Sequence, residues 1–364
     1  MRILQINFTL SAGGGERFVV DMCNELAKKA SDEVYLLTVN ANTPKSQHYL
    51  PTLSPEVKYK NVGAPKVLSL KSIMGVYKAI KEIKPDIVHI HCSPILVYLP
   101  ALFYKKTKYI QTLHSLASKA ISFQWLRTFQ GWLFRKHVQP ITISNTCQES
   151  YKEYYKQDNA ICITNGRAAL KTTANLENVM QEISKYKQGK DIPVFIHIAR
   201  YSPPKNQTLL FNTFNKLHND GKTFLLVVIG AGFENSPYMH FNETNHIKIL
   251  GVKQNVGDYL ACADYFVLSS TYEGLPLSLL EAMSMGCIPI STPAGGVVDV
   301  IKDGKNGIMS TTFEETDFYN AVARVFENDF SINRADIIKD YKESYTMDVC
   351  VNNYYKVYTN LSKD

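Results

Sequence analysis

Two glutamates spaced eight residues apart, Glu273 and Glu281, are the side chains in this sequence that are best suited to chemistry. An apolar strand is predicted to end just before Glu273, and Pro276 suits the first turn of a helix that would carry Glu281. Gly286 suits the C-terminal cap of that helix. Carboxylates at a turn and on the following helix could accept hydrogen bonds from sugar hydroxyls. The alternative is that Glu273 is a solvent-facing turn residue and Glu281 a surface charge.

The start of the same helix could bind an anion. The backbone N–H groups near Leu275 and Leu277 would be free to bind an anion, and the helix dipole would strengthen their attraction for negative charge. A second segment, ARYSPPKN, follows another predicted strand and carries Arg200 and Lys205. Open α/β sheets bind ligands at such strand-to-helix connections. Because Arg offers a planar fork and Lys a point charge, this pair together with Glu273 predicts a diphosphate site.

The elements around these segments alternate between strand and helix. Apolar strands recur throughout both halves, with helical stretches such as 16–30 and 69–84 between them. This order predicts an α/β protein with parallel sheets and helices on both faces. Residues 171–191 are polar and poor in strand signal, so we place a domain boundary after residue 172. The stretch 346–361 is typical of a final helix with one apolar face.

Composition excludes several classes of protein. The chain has 364 residues, of which 45% are hydrophobic and 20% charged, so it is neither disordered nor fibrous. No apolar run approaches the ~20 residues of a membrane span, and the N-terminus shows no secretory cleavage site. The seven cysteines are scattered without a C-x-x-C pair, which favours free thiols in a reducing cytoplasm. They are Cys23, Cys92, Cys147, Cys162, Cys262, Cys287 and Cys350.

Positive charge is concentrated in the first half. Residues 1–172 carry 23 Lys and Arg against 11 Asp and Glu, whereas residues 173–364 carry 17 against 22. No acidic residue lies between Asp86 and Glu149. A field of one sign attracts polyanions, although a basic surface without a partner is the alternative.

The segment 119–137 combines aromatic residues, including Phe123, with basic ones. Such a mixture on a helix suits the interface of an anionic bilayer, so we expect a cytoplasmic protein that is peripheral on the inner face of the membrane. The alternative is a core helix with buried aromatics. The mixture also suits nucleic acid, but nothing else does, and we expect no nucleic-acid partner. The candidate membrane or acceptor residues are Lys105, Lys106, Lys108, Trp125, Arg127, Trp132, Arg135 and Lys136.

A glycine-rich segment follows the first predicted strand. Gly13–Gly15 would let the backbone approach a ligand closely, with a simple tight turn as the alternative. A dinucleotide site would show G-x-G-x-x-G and an acidic residue about 20 positions later. Here Phe18 replaces the third glycine and the next strand ends at Asn40, so the sequence does not favour NAD.

Histidines lie on or after two strands of the first half. His114 follows YIQTL at the edge where ligands bind. His89 and His91 share one face of their strand, but no third ligand stands at a recognisable spacing, and we predict no metal site.

The segments EGLPLSLLEAMSMGCIPISTPAGG, ARYSPPKN and VIGAG resemble the nucleotide-sugar domain of retaining glycosyltransferases of family 4. The resemblance covers the chain nearly end to end. It implies the GT-B fold, in which two Rossmann-like domains face each other across a cleft. Residues 1–172 would bind the acceptor and residues 173–345 the nucleotide sugar, while residues 346–364 would form a helix that crosses back to the N-terminal domain.

The same resemblance implies roles for individual residues. Glu273 would contact the donor sugar and Glu281 the ribose, Arg200 and Lys205 the diphosphate, and His114 the sugar. The candidate catalytic residues are thus Glu273, His114, Arg200 and Lys205. The candidate donor-binding residues are Gly14, Gly15, Arg200, Lys205, Gly230, Gly251, Val252, Glu273, Gly274, Leu275, Pro276, Leu277 and Glu281.

The implied activity moves a hexosyl unit from a nucleoside diphosphate sugar, with UDP favoured, to an acceptor hydroxyl while keeping the anomeric configuration. The acceptor would be a lipid-linked or cell-surface glycan precursor of polysaccharide biosynthesis. The sequence has no Asp-x-Asp motif, so we expect a metal-independent enzyme without a cofactor. Two alternatives stay open: a nucleotide-sugar epimerase of the same fold, and a non-catalytic subunit that docks on membranes.

Overall fold

Two compact units make up the chain. The computed structural model describes residues 1–29, 31–66, 69–91, 99–120, 124–327 and 331–363. The first unit comprises Met1–Ala168 and Tyr345–Asp364, and the second comprises Ala169–Ser344. Cys92 and Phe123 lie outside the described residues.

The first unit is built on a seven-stranded parallel sheet. Its strands are β1 (Arg2–Asn7), β2 (Glu33–Asn40), β3 (Lys58–Ala64), β4 (Ile87–Ile90), β5 (Lys108–Leu113), β6 (Val138–Thr142) and β7 (Ile161–Cys162). They lie in the order β3-β2-β1-β4-β5-β6-β7, and all neighbours are parallel. The strand order changes direction between β1 and β4, which is where open α/β sheets bind ligands.

Helices connect these strands and cover the apolar sheet. They are α1 (Gly14–Ala27), α2 (Leu70–Ile83), α3 (Leu99–Phe103), α4 (Ala117–Ala120), α5 (Arg127–Lys136) and α6 (Asn145–Tyr155). The spacing of Val76, Ile80 and Ile83 gives α2 one apolar face. That face is buried in a core cluster that also contains Leu4 and Ile90 of the sheet.

The second unit repeats this design around a six-stranded parallel sheet. Its strands are β8 (Val194–Ile198), β9 (Leu225–Ile229), β10 (Ile247–Ile249), β11 (Tyr265–Leu268), β12 (Ile288–Ser291) and β13 (Ile308–Met309). Their order is β10-β9-β8-β11-β12-β13. The helices are α7 (Leu176–Lys187), α8 (Gln207–Asn219), α9 (Val256–Ala261), α10 (Leu277–Ser284), α11 (Val297–Val300), α12 (Glu315–Glu327) and α13 (Arg334–Ser344).

The last helix, α14 (Met347–Lys363), belongs to the first unit. The backbone of Arg167 donates to Tyr345 O at 2.9 Å, which joins the two chain segments of this unit. Tyr354 and Tyr358 of α14 are fully buried. The apolar face expected for this stretch is therefore part of the core of the first unit.

The chain passes into the second unit after Ala168, four residues before the boundary predicted from composition. Leu170 N donates to Ser284 Oγ at 3.3 Å, and Thr173 N donates to Asp258 Oδ1 at 2.6 Å. These hydrogen bonds attach the polar segment to the second unit. A polar composition indicates a loop but does not show to which of the two units the loop is attached.

Candidate active site

The ends of β8 and β11 bring the two predicted motifs of the second unit together. These strands are neighbours, although about 70 residues separate them in the sequence, because the strand order changes direction between them. Arg200 follows β8, and Ser269 and Ser270 follow β11. This is the position at which ligands bind in open α/β sheets.

Glu273 and Lys205 form an ion pair at this edge. Lys205 Nζ lies 2.5 Å from Glu273 Oε1, and Ser270 Oγ donates to the same oxygen at 2.6 Å. Glu273 is only 8% exposed, so its charge depends on these two partners. The family resemblance implies a diphosphate as the ligand of Lys205 and a sugar as the ligand of Glu273. The structure shows that the two side chains also hold each other in place.

Loop hydrogen bonds fix the distance between the two motifs. Ser269 Oγ donates to the backbone oxygens of Lys205 and Asn206 at 2.9 and 3.0 Å. Thr271 N donates to Pro204 O at 2.9 Å. The loop after β8 is thereby attached to the end of β11, and Lys205 reaches Glu273. The sequence analysis named neither Ser269 nor Ser270 as a functional residue.

Gly295 supports Glu273 from the other side. Gly295 has φ +54°, and a Cβ at this position would lie 1.9 Å from Glu273 O. Gly296 N donates to the same oxygen at 3.3 Å. A side chain at residue 295 would displace the backbone of Glu273. In the sequence, the pair of glycines after STPA indicates a position that needs glycine, but it does not show that Glu273 is the residue that lies close to it.

Helix α10 begins one residue later than predicted. Pro276 is the N-cap, with extended φ −70° and ψ 125°, and the helix starts at Leu277. Proline fits because it has no N–H to leave unpaired. The N–H groups of Leu275, Leu277 and Ser278 donate to no backbone or side-chain acceptor within the described residues. Because both leucines are buried, these donors form an anion-receptive group.

The far end of α10 agrees with the sequence prediction. Gly286 has φ +76°, its N–H donates to Met283 O, and Cys287 N donates to Ala282 O, both at 3.0 Å. This is a Schellman motif, in which the left-handed residue is usually glycine. The helix therefore has a defined length, and it carries Glu281 as a half-buried side chain in its second turn.

Arg200 lies beside these groups and is exposed. Its side chain makes no hydrogen bond or ion pair with any part of the chain that the structure describes. Its backbone is fixed, because Gln207 Nε2 donates to Arg200 O at 2.9 Å. Within β8, His197 Nδ1 lies 2.8 Å from Val267 O of β11, and burial lowers the pKa of His197 to about 4. The backbone of Arg200 is thus fixed, while its guanidinium group is available to a ligand.

The ends of β9 and β10 contribute two glycines. A Cβ on Gly230 would lie 1.9 Å from Ala199 O, so only glycine allows this approach to β8. Gly230 N donates to Gly251 O at 2.9 Å. Val252 is 59% exposed. Gly230, Gly251 and Val252 therefore continue the same sheet edge away from Arg200.

In the first unit, the glycine segment starts a helix. Gly13 is the N-cap of α1, and Gly14 and Gly15 lie in its first turn. A Cβ on Gly15 would meet no atom within 4 Å among the described residues. Glu16 bends toward the same helix end, and Ser11 Oγ donates to its Oε1 at 3.1 Å. A carboxylate there interacts favourably with the helix dipole.

His114 lies just after β5 and is half-buried. Its Nε2 is 3.1 Å from His91 Nδ1, and its ring packs edge-on against Phe18 at 5.3 Å between centroids. Burial lowers the pKa of His114 to about 4, so the ring is neutral at physiological pH. Among the described residues, no group of three or more His, Cys, Asp or Glu is arranged to hold a metal ion.

The apolar residues of the segment around α5 divide between core and surface. Leu133 and Phe134 are buried in the core cluster of the first unit. Trp125 and Trp132 are exposed by 78% and 43%. Part of this segment therefore packs in the core, and another part is at the surface. The α-helices in the described ranges include none with the length and apolar character needed to cross a membrane.

The basic residues of the same unit are mostly at the surface. Arg127 stacks 4.4 Å from the centroid of the Tyr154 ring and donates to Tyr154 O, so its charge is anchored. Of the predicted membrane or acceptor cations, five are exposed, Lys105, Lys106, Arg127, Arg135 and Lys136, and Lys108 is half-buried. The first unit therefore exposes both these cations and the two tryptophans.

Two family models match the chain. The model described as Glycosyltransferase Family 4 matches residues 12–167, and the model described as Glycosyl transferases group 1 matches residues 192–328.

Among curated proteins, the chain is 26% identical over 283 residues to the Escherichia coli UDP-Gal:alpha-D-GlcNAc-diphosphoundecaprenol alpha-1,3-galactosyltransferase, covering 72% of each sequence. It is also 26% identical over 332 residues to an uncharacterized glycosyltransferase of Methanocaldococcus jannaschii, covering 84% of this chain and 87% of that one.

Solved structures show the same fold. A glycosyltransferase from Rickettsia africae has a TM-score of 0.82 at 16% identity, with 100% of this chain and 99% of the other covered. Anabaena HepE in complex with UDP and glucose has a TM-score of 0.77 at 16% identity, with 99% and 100% covered. The chain therefore belongs to the family 4, group 1 glycosyltransferases, is itself a glycosyltransferase, and has their GT-B fold of two Rossmann-like domains.

Proposed function

We propose that this glycosyltransferase moves a hexosyl unit from a nucleoside diphosphate sugar to an acceptor hydroxyl, keeps the anomeric configuration and needs no metal ion. The observation that carries the proposal is the cluster at the ends of β8 and β11. It combines the Lys205–Glu273 pair with exposed Arg200 and with the unpartnered N–H groups at the start of α10. Cations and a helix N-terminus are the groups that bind a diphosphate without a metal.

Each part of the cluster has a distinct task in this proposal. Arg200, Lys205 and the N–H groups of Leu275 and Leu277 stabilise the negative charge that grows on the departing diphosphate. Preorganised donors of this kind contribute about 3–4 kcal/mol each to a transition state. Glu273 accepts hydrogen bonds from the sugar, and its bond to Lys205 orients it for this task.

The remaining donor contacts follow the sheet edge. Glu281 on α10 is assigned to the ribose, and Gly230, Gly251 and Val252 to the base, with UDP as the favoured nucleotide. Glycine at residues 230 and 251 keeps the backbone open to a flat ring. Gly274 and Pro276 shape the turn before α10. Within the first unit, Gly14, Gly15 and His114 are assigned to the donor, with His114 on a sugar hydroxyl.

For the acceptor, we propose a lipid-linked glycan precursor of polysaccharide biosynthesis that is reached at an anionic membrane surface. The Escherichia coli relative acts, by its name, on a sugar linked to diphosphoundecaprenol. The exposed tryptophans and cations of the first unit suit the interface of such a membrane. The proposal places the enzyme at the inner, cytoplasmic face as a peripheral protein.

A transfer assay tests the proposal. A panel of UDP-, GDP- and ADP-sugars is first screened by thermal shift, since binding to the folded state raises the apparent melting temperature. Transfer from the selected donor to a polyprenyl-diphosphate sugar is then measured with and without EDTA, and the anomeric configuration of the product is read by NMR.

Glu273→Ala and Arg200→Ala are expected to abolish transfer without unfolding the protein, whereas Glu314→Ala, a surface glutamate of the same unit, leaves transfer unchanged. Transfer by both site variants at the wild-type rate would contradict the role assignments. Loss of transfer in EDTA would contradict metal independence. Conversion of the donor into a different nucleotide sugar with no acceptor present would identify an epimerase instead.

A further inference from the structure

A chain of side-chain hydrogen bonds runs through the buried centre of the first unit, from His114 to the C-terminal helix. His114 Nε2 is 3.1 Å from His91 Nδ1, and His91 Nε2 is 2.7 Å from Gln5 Oε1. Gln5 Nε2 donates to Tyr358 OH at 3.2 Å, and Tyr358 OH is 2.7 Å from His89 Nδ1. The members come from β1, β4, β5 and α14, so tertiary structure rather than local sequence assembles the chain.

The amide of Gln5 fixes the direction of these hydrogen bonds. Its NH₂ group faces Tyr358, so its carbonyl oxygen faces His91. A carbonyl oxygen only accepts, and His91 Nε2 must therefore carry a proton. A neutral imidazole has one N–H, which leaves His91 Nδ1 as an acceptor. His114 Nε2 must then be the donor to His91.

Removal from water keeps each of the three histidines neutral. His89 is completely buried and His91 is nearly so. Burial lowers the pKa values of both rings well below the ordinary range, and it lowers that of His114 to about 4. The two rings of His89 and His91 lie 4.0 Å apart between centroids, where two positive charges would repel each other.

The other half of the chain is consistent with the same direction. Tyr358 OH accepts from Gln5, so its own proton goes to His89 Nδ1 at 2.7 Å rather than to Met22 Sδ, a weak acceptor at 4.0 Å. His89 Nε2 then donates to Thr112 Oγ1 at 2.8 Å. Thr112 has its hydroxyl proton left for Tyr354 OH at 2.9 Å. From His114 to Tyr354 OH, each hydrogen bond of the network therefore has one donor and one acceptor.

We propose that Gln5 and His91 are positioning residues that hold His114 as the Nε2–H tautomer, so that its Nδ1 presents a lone pair to a hydroxyl group of the bound sugar. The inference rests on the proposed function for the identity of the ligand, but not for the tautomer. An acceptor nitrogen binds a group that donates a proton. A sugar hydroxyl can do so, whereas an ionised phosphate oxygen cannot. His114 Nδ1 has no hydrogen-bond partner among the residues that the structure describes.

Nitrogen NMR of the full chain labelled with ¹⁵N-histidine tests the tautomer directly, without a ligand. A protonated ring nitrogen and one with a lone pair have well-separated shifts, and loss of a signal in His114→Asn assigns the ring. We expect the proton of His114 on Nε2 alone between pH 6 and 8. A proton on Nδ1, or an averaged signal from both tautomers, would overturn the inference.

Two variants test whether Gln5 positions His114. Gln5→Leu removes the acceptor for His91 and is expected to give an averaged His114 signal, together with an approximately tenfold rise in the KM for the donor and a smaller change in kcat. Gln111→Leu is the matched control. Gln111 is also buried in the same sheet, but its side chain accepts a hydrogen bond from Gln130 and is not a member of the hydrogen-bond network that contains Gln5. A wild-type His114 signal in folded Gln5→Leu would overturn the positioning role.

A second pair covers the case in which Gln5→Leu does not fold. His91→Asn keeps an oxygen that can accept from His114 Nε2 and is expected to retain the Nε2–H tautomer, whereas His91→Leu is expected to lose it. The same tautomer in both variants would contradict the inference.

Ligand binding separates this inference from the proposed function. With the donor selected by thermal shift, the His114 Nδ1 signal should move, and with its nucleoside diphosphate alone it should not. Equal movement with both would overturn the assignment to a hydroxyl. If no nucleotide sugar binds at all while the tautomer is Nε2–H, the proposed donor fails and the positioning role stands.

Discussion

The ion pair between Lys205 and Glu273 places two functional groups at one point of a sheet edge. Strand and turn motifs in the sequence identify Arg200, Lys205 and Glu273 as ligand-binding candidates, because their residue types fit the chemistry. The same motifs do not show that Lys205 bonds to Glu273, or that Ser270 shares the carboxylate. Contacts between distant loops depend on the strand order, which has no local signal.

Breaking the ion pair from one side should destabilise the protein. Lys205→Met leaves the buried carboxylate of Glu273 with Ser270 as its remaining side-chain donor. Because Lys205 is about one-fifth exposed, we expect a loss of about 2 kcal/mol in the free energy of unfolding, below the ~3–5 kcal/mol of a fully buried pair.

A double-mutant cycle with Glu273→Gln, followed by chemical denaturation, measures the coupling between the two side chains. The loss of unfolding free energy in the double variant should be smaller than the sum of the losses in the two single variants by at least ~1 kcal/mol. Additivity within ~0.5 kcal/mol would mean that the pair is not coupled.

The close approach of Gly295 to Glu273 predicts sensitivity to a single methyl group. Gly295→Ala should abolish transfer and lower the melting temperature, because the new Cβ overlaps the carbonyl oxygen of Glu273. Gly221→Ala is the control, since Gly221 also has a positive φ but no atom within 4 Å of its added Cβ. The control isolates backbone strain, which costs about 1 kcal/mol. Equal effects of both variants on transfer would contradict the proposed support of Glu273.

At the scale of elements, periodicity predicts most strands and helices but not all of their bounds. The strand β3 (Lys58–Ala64) has little strand signal in the sequence, because KYKNVGA interleaves polar residues with few apolar ones. Helix α10 starts at Leu277 rather than Pro276, since an extended proline serves as its cap. Helix α1 ends at Ala27, before the limit of the predicted stretch 16–30. Caps and edge strands depend on few residues, so periodicity describes them poorly.

The exposed tryptophans of the first unit should mediate binding to anionic bilayers. We expect Trp125→Ser with Trp132→Ser to reduce binding to vesicles that contain phosphatidylglycerol at least fivefold, because both rings are at the surface. Binding of the wild-type protein should weaken as salt rises, since the exposed cations are screened.

Phe313→Ser in the second unit is the control, as Phe313 is also a large exposed side chain. Cosedimentation with vesicles measures the effect. Unchanged binding by the tryptophan variant would remove these residues from the proposed membrane contact.

At the scale of the whole molecule, composition and strand order predict two α/β units, and the basic first half coincides with the first of them. The predicted boundary after residue 172 is four residues late, because Leu170 and Thr173 are held by hydrogen bonds to Ser284 and Asp258.

The buried histidines predict that the protein loses stability in mild acid. Burial lowers the pKa of His89 and His91 well below the usual value, and that of His114 and His197 to about 4. In the unfolded chain these rings titrate near ~6.5. Between pH ~6.5 and ~4 the unfolded chain therefore binds protons that the folded protein does not, and the free energy of unfolding falls as the pH drops.

We expect a lower melting temperature at pH 5 than at pH 7.5, a range above that in which most carboxylates titrate. Differential scanning calorimetry at matched ionic strength measures it. A melting temperature that is equal or higher at pH 5 would show that these rings are not neutral in the folded protein.

Titration calorimetry with UDP, GDP and ADP tests the central claim, that a diphosphate binds at the edge formed by β8, β11 and α10. We predict one binding site per chain for at least one of the three, with a Kd that Arg200→Ala raises tenfold or more, or about 1.4 kcal/mol. Lys305→Ala, which removes an exposed cation elsewhere in the second unit, should leave this Kd unchanged. The account is contradicted if none of the three nucleotides binds, or if Arg200→Ala binds as tightly as the wild-type protein.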